Sequence, residues 1–202
     1  MGQKQAFKPT PTPREANAVK LNLRMTVHVA LFTALIIIGG YISVPLPVGP
    51  VPIVLADFFV MLSGLFLGLK WGLTSVALYL SLGALGLPVF ASGTSGLAIL
   101  LGPTGGFLLG YMLMVTAVGF ITGKRKPSLI RVSLALIVGN ILLYSVGVPW
   151  LKGVLHLGWG AAFTAGLIPF IPGTIIKIIV ATTLARVLLP RFQHGSVATF
   201  GQ

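Results

Sequence analysis

Met25-Thr-Val-His-Val-Ala-Leu-Phe-Thr-Ala-Leu-Ile-Ile-Ile-Gly-Gly-Tyr-Ile-Ser-Val44 is a run of twenty residues without a lysine, arginine, aspartate or glutamate. As an α-helix rising about 1.5 Å per residue it measures about 30 Å, the thickness of a bilayer's hydrocarbon core. Five further apolar runs follow, at residues 53–69, 71–87, 105–123, 129–151 and 161–189. The breaks between them carry helix-ending chemistry. Pro45, Pro47, Pro50 and Pro52 close the first connection, Lys70 and Gly72 mark the second, and Lys124-Arg125-Lys126-Pro127 marks the fourth. The pattern predicts an all-α integral membrane protein with six transmembrane helices.

Composition agrees. Of 202 residues, 55% are hydrophobic and 8% charged, with a mean hydropathy of +1.00. A soluble domain keeps about 25% of its residues charged, so lipid must solvate this chain. With no cysteine, disulfides and thiolate metal sites are excluded. A net charge of +12 would suit nucleic acid, but the cations lie in the termini and in short loops between apolar runs. Membrane topology accounts for them, and no nucleic-acid partner is expected.

Residues 1–24 are polar and proline-rich and read as a disordered cytoplasmic tail. A signal peptide would need a shorter apolar core and a small-residue cleavage site, and neither follows Arg24. Residues 25–190 form the membrane domain, and residues 191–202 a second cytoplasmic tail. With both termini inside, twelve of the fourteen Lys and Arg residues fall on the cytoplasmic side, as the positive-inside rule requires. The exceptions are Lys152, in an external loop, and Lys177, inside the last span.

Two external connections stand out. Residues 45–52 read as a stiff, extended turn, and residues 88–104 are too apolar for a free loop and too glycine-rich for a stable helix. Irregular backbone survives at membrane depth only where it is buried in protein or lines a cavity. Both stretches are therefore expected to lid or line a pocket open to the outside.

Few side chains can carry chemistry there. The acids are Glu15, in the tail, and Asp57, about one turn into the second span. Asp57 fits either an interfacial residue near headgroups or a lining residue of the pocket. Lys177 follows the broken stretch Pro169-Phe-Ile-Pro-Gly-Thr174 and lies among four isoleucines. It suits an anionic ligand group in a discontinuous helix; outward snorkelling or an ion pair with Asp57 is the alternative. Thr174 shares the face of Lys177. Asn140 and Tyr144, four apart, serve a ligand or helix–helix hydrogen bonding equally well.

The remaining features read as structure. His28, His156 and His194 have no metal-site spacing, and Trp71, Trp150 and Trp159 suit interfacial anchors. Small-residue pairs at Gly64/Gly68, Gly106/Gly110 and Gly119/Gly123 suit close helix contacts, while Ala30/Ala34 suits either such contacts or a partner helix. There is no G-x-x-x-x-G-K-[ST] loop to cradle ATP, and no acidic pair or Ser/His/Asp set for catalysis. A chain with a pocket and no energy source reads as a capture subunit whose drive comes from elsewhere, not as an enzyme.

Leu100-Leu-Gly-Pro-Thr-Gly-Gly-Phe-Leu-Leu-Gly110 resembles the G-P-T-G-G-[YF] signature of the BioY family. Pro169-Phe-Ile-Pro-Gly-Thr-Ile-Ile-Lys177 resembles its P-F-x-P-G-D-x-x-K motif. Val51-Pro-Ile53, Gly86-Leu-Pro-Val-Phe90 and Tyr144-Ser-Val-Gly-Val-Pro-Trp-Leu151 match in the same order, so the similarity covers roughly residues 25–190.

The resemblance implies a biotin-capturing S-component of an energy-coupling factor (ECF) transporter, in a bacterial or archaeal cytoplasmic membrane. It implies as partners a transmembrane coupling protein and paired ATPases; ATP would be used by them, with no cofactor on this chain. Ala30 and Ala34 stand where related S-components dock the coupling protein. Lys177 occupies the family's ligand-site lysine, which would pair with the biotin carboxylate. Thr174 departs from the family's aspartate, and Ala56-Asp57 departs from its usual Gln-Thr pair. Either Asp57 supplies the carboxylate missing at 174, or the pocket suits a relative of biotin. Thr94, Ser95 and Asp57 would meet the ureido group and Phe90 the rings, with Tyr144 and Asn140 as further candidates. The alternatives are an S-component for another small carboxylate-bearing vitamin or cofactor precursor, and a membrane assembly subunit.

Overall fold

The computed structural model describes residues 13–47, 49–123 and 127–197, with side chains described over 23–47, 49–123 and 127–189. In chain order it contains α1 (Pro13–Tyr41), the strands β1 (Ser43–Leu46) and β2 (Gly49–Val54), α2 (Ala56–Ala84) and the short α3 (Leu97–Leu101). Then come α4 (Gly105–Thr122), α5 (Leu129–Leu155), α6 (Trp159–Gly166) and α7 (Ile171–Val197). Five helical stretches among the described residues are long and apolar enough to cross a membrane.

The sixth leg comes from α2, which is continuous only in its hydrogen bonding. Gly68 has φ 71° and ψ −171°, a conformation that glycine adopts without a Cβ clash. The chain reverses there: a Cβ placed on Gly72 would lie 3.0 Å from the Ser63 carbonyl oxygen, which an unbroken helix would hold more than two turns away. Neighbours of α1 confirm the hairpin. Gly39 abuts Ala56 and Phe59, and Phe32 meets Phe66 at 6.2 Å between ring centroids, so the first leg descends as α1 rises. Thr33 donates to the Ser75 carbonyl at 3.1 Å and Gly40 abuts Val89, so the second leg rises with α1. The predicted spans 53–69 and 71–87 are these two legs.

Most glycine pairs do serve internal contacts. Gly64 lies on Val118, Gly106 on the Trp150 side chain, Gly110 on Leu143, and Gly119 on the backbone of Gly68 and Leu69. Lipid supplies no hydrophobic drive between helices, so close backbone approach and its dispersion gain hold the legs together.

Several expectations need correction. Residues 45–52 are not merely an extended turn, and the protein is not purely helical: β1 and β2 form an antiparallel hairpin with Ser43 opposite Val54 and Val44 opposite Ile53. The residues 13–24 assigned to a disordered tail belong to α1, which begins at Pro13, a position where a missing N–H costs nothing. At the other end α7 continues to Val197, past the expected boundary at 191. The stretch 88–104 holds a 3-10 turn at Ala91–Gly93 and the one-turn α3. The last span is broken by a 3-10 turn at Ile168–Phe170, with Pro172 in the first turn of α7, where proline is tolerated. Residues 124–126, and with them most of the basic fourth connection, lie outside the described residues.

The hairpin, the 88–104 stretch and α6 gather at one end of the bundle; the reversal at Gly68 meets the end of α4 at Gly119, at the other. Single cysteines test which end faces out, since the chain has none of its own. Ser92→Cys should react with an impermeant thiol reagent added to intact cells, and Lys70→Cys only after permeabilisation; the reverse would invert the topology. For the reversal, Gly119→Ala should lower stability in detergent by about 1–3 kcal/mol as an overpacking change. There the built Cβ meets the Leu69 backbone nitrogen at 2.5 Å. Gly153→Ala, with nothing within 4 Å, should leave the melting temperature unchanged.

Candidate functional site

Lys177 lies in the second turn of α7 and Asp57 in the first turn of α2. Its Nζ donates to Asp57 Oδ1 at 2.7 Å, to Oδ2 at 2.9 Å and to the Val54 carbonyl at 2.7 Å. An ammonium has three donors, so all are used. Asp57 also accepts the Phe58 N–H at 3.0 Å and benefits from the positive end of α2. Both side chains are nearly sequestered, 13% and 9% exposed. Lys177 thus makes the ion pair with Asp57, and Asp57 is a buried residue of the protein interior, not an interfacial one.

The pair forms the floor of a cavity of about 480 Å³. Asp57, Tyr79, Phe90 and Tyr111 are among its buried lining residues, whereas Pro45, Pro50, Ser92 and Thr94 are exposed and mark its mouth. Phe107, Tyr144 and Phe170 form one wall, with ring centroids 6.3–6.4 Å apart. Phe90 sits edge-on to Tyr79 at 5.5 Å, in a slot that exists because position 83 is glycine; a Cβ there would overlap the Phe90 ring. The mouth is clasped by Tyr41, whose hydroxyl donates to the Pro88 carbonyl, and by Ser43 and Ser92, whose hydroxyls lie 2.7 Å apart. The irregular segments 45–52 and 88–104 thus line a pocket, as backbone at that depth must.

Of the candidate residues, Asp57, Lys177, Phe90, Thr94 and Tyr144 line this cavity. Thr174, Ser95 and Asn140 do not. Thr174 is buried and lies 2.8 Å from the Tyr144 hydroxyl, behind the lining. Asn140 is 4% exposed and donates to the Leu136 carbonyl at 2.8 Å and the Met61 sulfur at 3.3 Å. Ala30 and Ala34 lie on an exposed face of α1, away from the cavity. Trp150 is more than an anchor: its Nε1 donates to the Gly102 carbonyl at 3.0 Å, holding the loop that leads into α4. Trp71 and Trp159 instead receive Lys70 and Lys152 over their rings, at 5.2 and 5.0 Å.

Sequence reasoning missed Tyr79, Tyr111, Phe107 and Phe170. Thr104, Phe107, Leu108 and Tyr111 share one stripe of α4, but α4 is apolar all round, and periodicity cannot say which stripe of such a helix meets a cavity.

The BioY family signature matches residues 13–194. "Biotin transporter BioY" of Thermotoga maritima is 40% identical over 163 residues, covering 81% of this chain and 94% of that protein. "Probable biotin transporter BioY" of Pyrococcus horikoshii is 41% identical over 158 residues, covering 78% and 91%. Among solved structures, the 2.1 Å crystal structure of "the S-component for biotin from an ECF-type ABC transporter" superposes with a TM-score of 0.79 at 31% identity, covering 85% of this chain and 93% of that one. Matched over nearly its whole length in both sequence and fold, this chain, a multi-pass membrane protein, belongs to the BioY family.

Proposed function

We propose that the protein captures biotin at the outer face of the cytoplasmic membrane and delivers it through an ATP-driven ECF module. The observation that carries this reading is the mostly apolar cavity, open at one end, whose lining includes the Lys177–Asp57 pair. An apolar pocket with a few convergent polar groups suits a small bicyclic acid, and the relatives named above are a biotin transporter and a probable one. Phe90, Tyr144 and the neighbouring rings would bury the ligand's apolar part, with Thr94 at the mouth. ATP would be hydrolysed by partner ATPases, and Ala30 and Ala34, exposed on α1, would dock the coupling protein.

Thr174 bears on ligand choice. Where the family commonly has an aspartate, this threonine bonds to Tyr144, and the carboxylate beside Lys177 comes from Asp57 instead. That supports Asp57 as the replacement acid and keeps biotin ahead of a related vitamin. Ser95 and Asn140, off the cavity, drop out of the proposed contact set, and Thr174 supports it through Tyr144.

Titration of the purified protein with biotin should give a dissociation constant below 1 µM, at least about 8 kcal/mol of binding; no binding below micromolar overturns the assignment. Lys177→Ala leaves Asp57 buried and unpaired, so it should destabilise the fold by about 3–5 kcal/mol and weaken binding. Asp57→Leu with Lys177→Met should restore thermal stability, because an apolar pair of similar volume is tolerated, yet leave biotin binding lost. Recovered binding in the double variant would remove the pair from the site. Ala30→Leu with Ala34→Leu should abolish biotin-dependent growth of a biotin-requiring strain supplied with the coupling subunits, with the biotin affinity of the purified protein unchanged.

A further inference from the structure

A lysine in a pocket for an acid ordinarily offers a free ammonium, and this one does not. All three Nζ donors of Lys177 are committed, two to Asp57 and one to the Val54 carbonyl. Among the described residues the cavity lining contains no other lysine, arginine or histidine, and no other acid. Its formal charge is therefore zero. A ligand carboxylate could reach Lys177 only by displacing Asp57, stranding a buried carboxylate beside a second one. Like charges at that distance and burial oppose each other strongly.

What the floor does leave open is neutral. Tyr79 is 1% exposed and Tyr111 5% exposed, both line the cavity, and neither hydroxyl has a hydrogen-bond partner among the described residues. Neither is sealed away from the cavity either, since the Asn140 Oδ1 is the one buried side-chain polar atom among the described residues that lacks a partner. A phenol can donate or accept, and a carboxylate has about four acceptor sites, of which Lys177 and Phe58 take three on Asp57.

We infer that the floor reads an uncharged polar head, a cyclic urea or amide, with its carbonyl on the Tyr79 and Tyr111 hydroxyls and an N–H on Asp57. The ligand's carboxylate then lies toward the mouth, by the exposed Ser92 and Thr94, and makes no ion pair with this chain. Tyr111 and Tyr79 are thereby specificity-determining residues, and the Asp57–Lys177 pair acts as one neutral element. This rests on the biotin reading above and fixes which end of the molecule enters first.

The test compares biotin with biotin amide, in which the carboxylate is a neutral carboxamide, by calorimetry on the intact purified protein. The two should bind within about threefold of each other. Tyr111→Phe should weaken both by about tenfold, and in parallel, because it reads the head they share; Tyr79→Phe should do the same more weakly or equally. Amidation that weakens binding a hundredfold, or biotin affinity unchanged in both Phe variants, overturns the inference while leaving biotin as the ligand. Wild-type protein that binds neither compound overturns the biotin reading and this inference with it.

Discussion

One ion pair joins the last helix to the rest of the molecule at the depth where a ligand would sit. The outward face of α7, including Ile175, Ile176, Ile179 and Val180, is exposed to lipid, and lipid is as apolar as those side chains. Nothing hydrophobic pulls the helix inward. Its hold comes from contacts on the other face: Thr174 to Tyr144 at 2.8 Å, Lys177 to Asp57 at 2.7 Å, Ser133 to Thr182 at 3.4 Å, and the buried Ala181 and Ala185. Only the second involves charge. In a medium of low dielectric an isolated ammonium or carboxylate would be strongly disfavoured, so each requires the other. The extra bond from Lys177 to the Val54 carbonyl extends this requirement to the hairpin, tying α7, β2 and α2 together at one point.

The cavity follows from a second constraint, the early reversal of α2. Its first leg runs only from Ala56 to the turn at Gly68, about 18 Å of helix against a hydrocarbon core of about 30 Å. The remaining depth of that column is filled by the hairpin and by the 88–104 stretch. Such backbone must be covered or must line a cavity, and here it does both. Tyr41 on Pro88 and Ser43 on Ser92 then close the lid segments against one another. The short leg, the non-helical segments beyond it and the pocket they line lie in the same column of the bundle.

Much of the membrane architecture was legible before the fold. The apolar runs and the placement of cations between them reflect forces that act locally, on one segment at a time: the cost of charge in hydrocarbon and the length needed to cross it. The Gly-Pro-Thr-Gly-Gly stretch and the broken helix before Lys177 were legible for a similar reason, since glycine and proline impose backbone geometry where they stand. The hairpin was missed because prolines at 45, 47, 50 and 52 conceal a strand register behind poor strand propensity. The extra turns of α1 and α7 were missed because polar helix beyond the bilayer carries no apolar signal.

The site was legible only in part, and the division has a physical cause. Sequence by itself determined that this chain lives in lipid, that it crosses repeatedly, that Lys177 stands inside the last span with Asp57 about one turn into the second, and that its motifs resemble those of the BioY family. Each of these rests on residue type, on spacing along the chain or on motif order. Only the tertiary structure decided that Asp57 and Lys177, 120 positions apart, neutralise each other and leave no free cation among the described residues of the cavity lining. It alone turned Tyr79 and Tyr111 toward the cavity, and Asn140 and Thr174 away from it. Helices that are apolar on every side give no local preference for which face turns inward, so that choice belongs to the contacts between them.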